Sequence, residues 1–203
     1  MAAKLKVPQY SYGRLCRLAA EFLGKCNPQD TIPVPIEEIA EVSLGLNIIP
    51  IPGLQRAFDV DGFIDSALAA ITVDQFVLEN RPARYRFTLA HEIGHLYLHR
   101  EVFEGIKFSS IEEWKKFQLH VDPEDYSWLE WQAYSFAGLV LVPPHHLKEE
   151  FEACEIRAQA DGFTPGSEAT LWYICEVLSS TFEASREVVE KRIAKDRLFK
   201  KRK

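Results

Sequence analysis

Residues 84–103, RYRFTLAHEIGHLYLHREVF, carry the longest run of apolar side chains at helical spacing in this chain, and His91, Glu92 and His95 are set into it. Phe87, Ala90, Ile93, Gly94 and Leu98 share one face if the segment is helical, so the rest of the chain must supply an apolar surface to cover them. His91 and His95 are four residues apart and lie one above the other on the adjacent face. Two imidazoles so placed can meet a single ion at about 2.0–2.1 Å, and Glu92 then borders the coordination position left open. An H-E-x-x-H arrangement on a helix supplies two metal ligands and the general base of a hydrolytic site.

A tetrahedral catalytic site uses three protein ligands and keeps one place for water. Glu130, in the segment SWLEWQAYSFAGLVLVPP at 127–144, is the candidate third ligand. That segment reads as a mostly buried helix ending at two prolines. Ser127 stands three residues before Glu130, so Ser127 is expected as its N-cap and Glu130 in its first turn. Capping and ligation then compete for the same oxygens, and ligation requires Glu130 to point inward. Ala133 is small enough to let the two helices approach closely. His99 is spaced too widely to share the ion with both His91 and His95; an outer hydrogen bond or exposure is expected. His145 and His146 read as a solvated helix start. Tyr97, Tyr126, Tyr134 and His120 are candidate donors to a developing oxyanion. Zinc is the expected ion; two histidines and a carboxylate also match the facial triad of iron oxygenases, but Glu92 has a role in hydrolysis that oxygen activation does not require.

Around these two segments the chain alternates short elements. Residues 10–25 place Leu15, Leu18, Ala19, Phe22 and Leu23 on one helical stripe, and PIEEIAEVSLG reads as a short helix closed by Gly45. LNIIPIP at 46–52 suits an edge strand, because two prolines cannot donate to a ladder. Asp61 and Gly62 mark a turn before one or two strands in FIDSALAAITVDQ. Residues 104–126 read as a surface excursion with a short helix, and helices are expected from 145, near 167–180 and from Ser185 onward.

With 203 residues and 47% apolar side chains the chain fits one domain with a small appendage. No apolar stretch approaches the roughly 20 residues of a membrane-spanning helix, and MAAKLKVPQY lacks a signal-peptide core, so a cytoplasmic location is expected. Cys16, Cys26, Cys154 and Cys175 are too scattered for a disulfide framework or a metal knuckle. The net charge of -6 is uneven: residues 186–203 hold nine basic and three acidic groups, leaving 15 basic and 27 acidic in the remainder. The bulk should repel polyanions, and nucleic-acid contact is confined to the basic C-terminal end, read mainly as a solvated, frayed helix end.

RYRFTLAHEIGHLYLH at 84–99 and EWQAYSFAGLVLVP at 130–143 together resemble the ImmA/IrrE family of gluzincin-like metallopeptidases. The family runs an arginine-containing apolar stretch into its H-E-x-x-H helix and follows it with E-x-x-A-x-x-F-A-x-x-x-L-x-P; both blocks occur here in that order. Tyr134, Val140 and Val142 depart from the family's common Asn, Leu and Met. Carried across by position, the resemblance implies His91, His95 and Glu130 as zinc ligands and Glu92 as general base. Sheet and helices together suggest an α+β fold, a small N-terminal mixed sheet packed on the H-E-x-x-H helix with further C-terminal helices, and the resemblance implies that this is a minimal thermolysin-like core. The expected organisation is an N-terminal helical extension at 1–30, a metallopeptidase domain at 31–182 and a basic C-terminal helix or tail at 183–203. The implied function is zinc-dependent endoproteolysis of a specific partner, a helix-turn-helix repressor or antitoxin-like regulator. About 30 residues ahead of the shared region cannot hold a helix-turn-helix domain, so that partner would be a separate protein. The alternative is a regulatory binding protein that keeps the metal fold and cleaves nothing.

Overall fold

The computed structural model describes residues 6–200 except 107 and 109; residues 1–5 of the N-terminal stretch and 201–203 of the basic end lie outside the described residues. Helix α1 spans Tyr12–Cys26, and α2, Ile36–Glu38, continues as a π turn over Ile39–Ser43. Strand β1 (Asn47–Ile51) leads through α3 (Leu54–Phe58) to β2 (Gly62–Ile64) and β3 (Ala70–Asp74). Then come α4 (Gln75–Asn80), α5 (Pro82–Leu98), α6 (Arg100–Glu104), α7 (Ile111–His120), α8 (Pro123–Leu141), α9 (Pro144–Ala160), α10 (Glu168–Phe182) and α11 (Arg186–Lys195). Among the described residues no helix is long and apolar enough to cross a membrane, and Cys16, Cys26, Cys154 and Cys175 are unpaired.

The sheet is mixed, in the order β1-β3-β2, with β1 parallel and β2 antiparallel to β3. β1 lies at an edge, where Pro50 costs least, because its missing N–H need not face a neighbouring strand. β3 runs through the centre with Ile71 and Val73 fully buried. Gly62 is part of β2 rather than of a turn. A Cβ there would lie 2.7 Å from both the Thr72 carbonyl oxygen and Thr88 Cγ2, so the glycine lets β2 press against β3 and α5 at once.

α5 is sandwiched between this sheet and α8. Its Leu89, Ala90 and Ile93 are fully buried, as are Ala133, Phe136 and Ala137 of α8. Phe87, expected on that buried face, is half-buried beside a cleft, its ring 4.6 Å from that of Tyr134. Phe22 of α1 stacks edge-on against Tyr97 of α5 and Phe136 of α8, at ring separations of 5.3 and 5.4 Å. These rings join the first helix to the central pair; the α1 and α11 side chains Leu15, Phe22, Val189 and Ile193 share one apolar core with α5 and α8. α11 is therefore packed rather than frayed, and its Arg192 is 4% exposed, donating from Nη1 to the Tyr12 hydroxyl (2.7 Å) and from Nη2 to Asp196 Oδ2 (2.8 Å).

Side-chain caps explain where several helices begin. Ser11, Asp74, Ser110, Ser167 and Ser185 each accept a backbone N–H from the first turn of the helix that follows, worth about 1 kcal/mol apiece. α8 starts five residues earlier than its apolar pattern indicates: Asp122, not Ser127, is the N-cap, accepting from the Glu124 N–H at 2.9 Å, and Pro123 takes the first helical position. Ser127 is thus inside the helix, its hydroxyl donating back to the Pro123 carbonyl at 2.7 Å.

Candidate metal centre

The earlier start of α8 moves Glu130 out of the first turn into the helix body, so the expected competition with capping disappears. From there Glu130 faces α5. Its Oε2 lies 3.3 Å from His91 Nε2 and its Oε1 3.6 Å from His95 Nε2, and the two Nε2 atoms are 3.1 Å apart. Ligands at about 2.0–2.2 Å from a tetrahedral ion stand about 3.3–3.5 Å from one another. Each imidazole Nε2 lies within a few tenths of an ångström of that edge length from the other and from its own nearer Glu130 oxygen, and the donor set of two imidazoles and one carboxylate is that of catalytic zinc sites. The residues therefore fit a zinc-class ion.

Close packing makes this convergence possible. α5 and α8 touch where Gly94 meets Ala133: a Cβ on Gly94 would lie 3.2 Å from the Ala133 Cα and carbonyl oxygen. The small pair sits one turn from Glu130 and between the two histidines, so the helices are nearest where the three side chains must meet.

Charge reinforces the geometry. Burial works against ionised Glu130, yet the imidazoles of His91 and His95 beside it outweigh burial and hold the carboxyl well below the usual range. Burial also opposes protonation of His91, but the Glu130 hydrogen bond and the nearby Glu92 raise its pKa on balance. Glu92 is 6% exposed, and burial pushes its pKa up against the pull of both histidines. Its Oε2 accepts the Ile64 N–H at 2.9 Å, a bond from strand β2 that orients the carboxylate beside the histidine pair.

His99 is not exposed. It is 1% accessible, its Nδ1 lies 3.2 Å from His95 Nδ1, and burial with the neighbouring His95 pulls its pKa down to about 2. With an ion bound, His95 Nδ1–H can donate to His99 Nδ1, which would leave His95 Nε2 as the ligand atom. Tyr126 and Tyr134 line a cleft of about 890 Å³ with His91, Glu92, His95 and Glu130. Burial first, then the charge of Glu130, raises the Tyr126 pKa and keeps its phenol protonated. The Tyr134 hydroxyl accepts from Lys191 Nζ at 3.3 Å. Tyr97 is committed to the aromatic cluster, and His120 is exposed, its Nδ1 2.6 Å from the Lys116 carbonyl oxygen. His145 and His146, expected to be solvated, both contact Asp30. The roles of Ile64 and of Asp30 were not legible, since neither lies near its partner in sequence.

Residues 77–154 match a peptidase-family model described as the IrrE N-terminal-like domain. The matched span includes His91, Glu92, His95 and Glu130, and it supports membership in the ImmA/IrrE family at the level of this domain. A mixed sheet against helices is consistent with an IrrE-like fold, and the peptidase-family match together with the His91, His95 and Glu130 cluster supports metal-dependent enzymatic activity. A solved structure of a Mycobacterium tuberculosis transcriptional regulator is similar over 90% of this chain, with a TM-score of 0.56 and 13% identity. At that identity the likeness is one of fold, and this chain spans 58% of the length of that regulator. No curated protein matches.

Proposed function

We propose that this protein is a zinc-dependent endopeptidase that hydrolyses a peptide bond in a specific protein partner, a helix-turn-helix repressor or antitoxin-like regulator. Residues 31–182 form the metallopeptidase domain, with helices α1 and α11 of the flanking segments packed against it. The observation that carries this reading is the convergence of His91, His95 and Glu130 at tetrahedral spacing with Glu92 alongside.

Bound by those three side chains, zinc would supply Lewis-acid polarisation of the scissile carbonyl and acidify a water molecule. Glu92, anchored through Oε2 by Ile64, would serve as the general base, accepting a proton from the attacking water and returning it to the departing amine nitrogen. Tyr126 donates from its protonated phenol to the developing oxyanion. β2 packs against α5 and ends the sheet on the cleft side, so an extended substrate adds along that edge. The regulator-directed substrate is supported by the resemblance to ImmA/IrrE peptidases.

Zinc-loaded wild type and Glu92→Gln are incubated with candidate helix-turn-helix repressors and with the proteome of the source cell, and new N-termini are identified by labelling and mass spectrometry. Wild type alone should generate a defined set, with the variant about 10²–10⁴ slower. Equal products from both proteins, or none from either, would refute the peptidase reading.

A further inference from the structure

At the far end of α8 a second cluster of ligand atoms has no role in the chemistry above. Asp30 Oδ2 lies 2.8 Å from His145 Nε2 and 3.1 Å from His146 Nε2, and His146 Nε2 is 3.1 Å from the Asp30 carbonyl oxygen. The imidazoles are neighbours at the start of α9, with ring centres 4.1 Å apart. We propose that Asp30, His145 and His146 form a second divalent transition-metal site, of the zinc class, that clamps the turn after α1 to the first turn of α9.

Both sides of the site are held in place before an ion arrives. Asp30 has a left-handed φ of 53°, a conformation an aspartate tolerates better than most residues. Its N–H donates to the Asn27 carbonyl at 2.9 Å. The buried Asn27 side chain closes the same turn, donating to the Thr31 carbonyl at 2.9 Å and accepting from the Thr31 hydroxyl at 2.8 Å. On the other side, Pro143 precedes α9 and Pro144 opens it, so the backbone carrying the histidines is restricted in φ.

The donors choose the ion. Two imidazoles and one carboxylate suit zinc, nickel or copper(II), whereas calcium and magnesium prefer oxygen donors. Tetrahedral ligation needs separations of about 3.3 Å, so the present 2.8 and 3.1 Å contacts must open by a few tenths of an ångström. The side chains of His145 and Asp30 are each 54% exposed, so they can rotate that far and leave room for water ligands. The positive end of α9 disfavours a cation, and the Asp30 carboxylate offsets it. From Glu130 to the end of α8 is 11 residues, or about 16 Å of helix, so this ion is separate from the one in the cleft.

Metal-stripped full-length chain is titrated with zinc against a chromogenic chelator, with circular dichroism confirming the fold of each variant. Wild type should take up two ions, and His145→Ala, His146→Ala and Asp30→Asn should each weaken one uptake at least about tenfold. Glu130→Gln should lose the other uptake and retain this one. If the cleft reading fails and this one holds, wild type and Glu130→Gln each bind one ion, and Asp30→Asn binds none. Zinc uptake by His145→Ala and Asp30→Asn equal to that of wild type in number and affinity would overturn the proposal.

Discussion

Replacing Gly94 by alanine tests whether the α5–α8 contact sets the metal centre. The added Cβ would stand 3.2 Å from Ala133 Cα and its carbonyl oxygen and 3.3 Å from Phe136 Cδ1. Carbon atoms prefer about 3.5–4.0 Å, so the helices must part by about 0.3–0.5 Å. Overpacking of this kind costs about 1–3 kcal/mol, and exchanging glycine for alanine within a helix returns about 1 kcal/mol, so metal-free stability should fall by about 0–2 kcal/mol. The effect on the ion is more diagnostic. Glu130 sits one turn before Ala133 and moves with α8, whereas metal sites tolerate ligand distances only within about 0.2 Å. Zinc affinity, measured by chelator competition alongside urea unfolding, should fall by about tenfold or more. Unchanged affinity together with a stability gain of about 1 kcal/mol would refute the reasoning, because that is how a glycine in an uncrowded helix behaves.

Further outcomes follow from the same geometry. Glu130→Gln removes a carboxylate that raises the His91 pKa, so that pKa, read by NMR in the metal-free protein, should drop; an unchanged value would contradict the assigned pairing. The metal-free pair also has a defined pH window. His91, raised from 6.5, stabilises most below that pH and loses its contribution as pH rises through the folded value, whereas Glu130, lowered from 4.5, stabilises above 4.5 and loses its contribution on acidification. The stability difference between wild type and Glu130→Gln should therefore peak between about pH 4.5 and 6.5, and urea titrations giving a flat difference from pH 3.5 to 8 would exclude the pairing. His99→Phe should weaken zinc binding about 10–100-fold by removing the acceptor that orients His95, without abolishing it; complete loss would instead make His99 a ligand. Gly62→Ala places a Cβ 2.7 Å from the Thr72 carbonyl oxygen, and a loss of at least about 1–3 kcal/mol is expected in thermal or urea unfolding.

The centre of the molecule was legible because its chemistry is local. Four-residue spacing alone put His91 and His95 on one helical face, and the apolar pattern of 127–144 brought Glu130 onto a second buried helix. What escaped the sequence reading had two causes. One is a pair of competing local signals: Asp122-Pro123 is an N-cap followed by proline at the first helical position, while the Ser127 to Glu130 spacing mimics a capping box five residues further on. The other was tertiary placement. Asp30 lies 115 residues from His145, the Ile64 N–H reaches Glu92 across a strand–helix packing, and Gly62 is required by Thr72 and Thr88 rather than by its own backbone. Such contacts have no period in the sequence. The basic C-terminal end illustrates the same point, because charge composition made it look solvated while Val188, Val189 and Ile193 bury one stripe of it.

X-ray absorption and anomalous diffraction on zinc-loaded crystals test the central claim most directly. An ion should lie between α5 and α8 with His91 Nε2, His95 Nε2 and a Glu130 oxygen at about 2.0–2.2 Å, and with a remaining position open beside Glu92. A zinc-saturated protein with no ion within bonding distance of those three atoms, or with the position beside Glu92 filled by a fourth protein ligand, would contradict it.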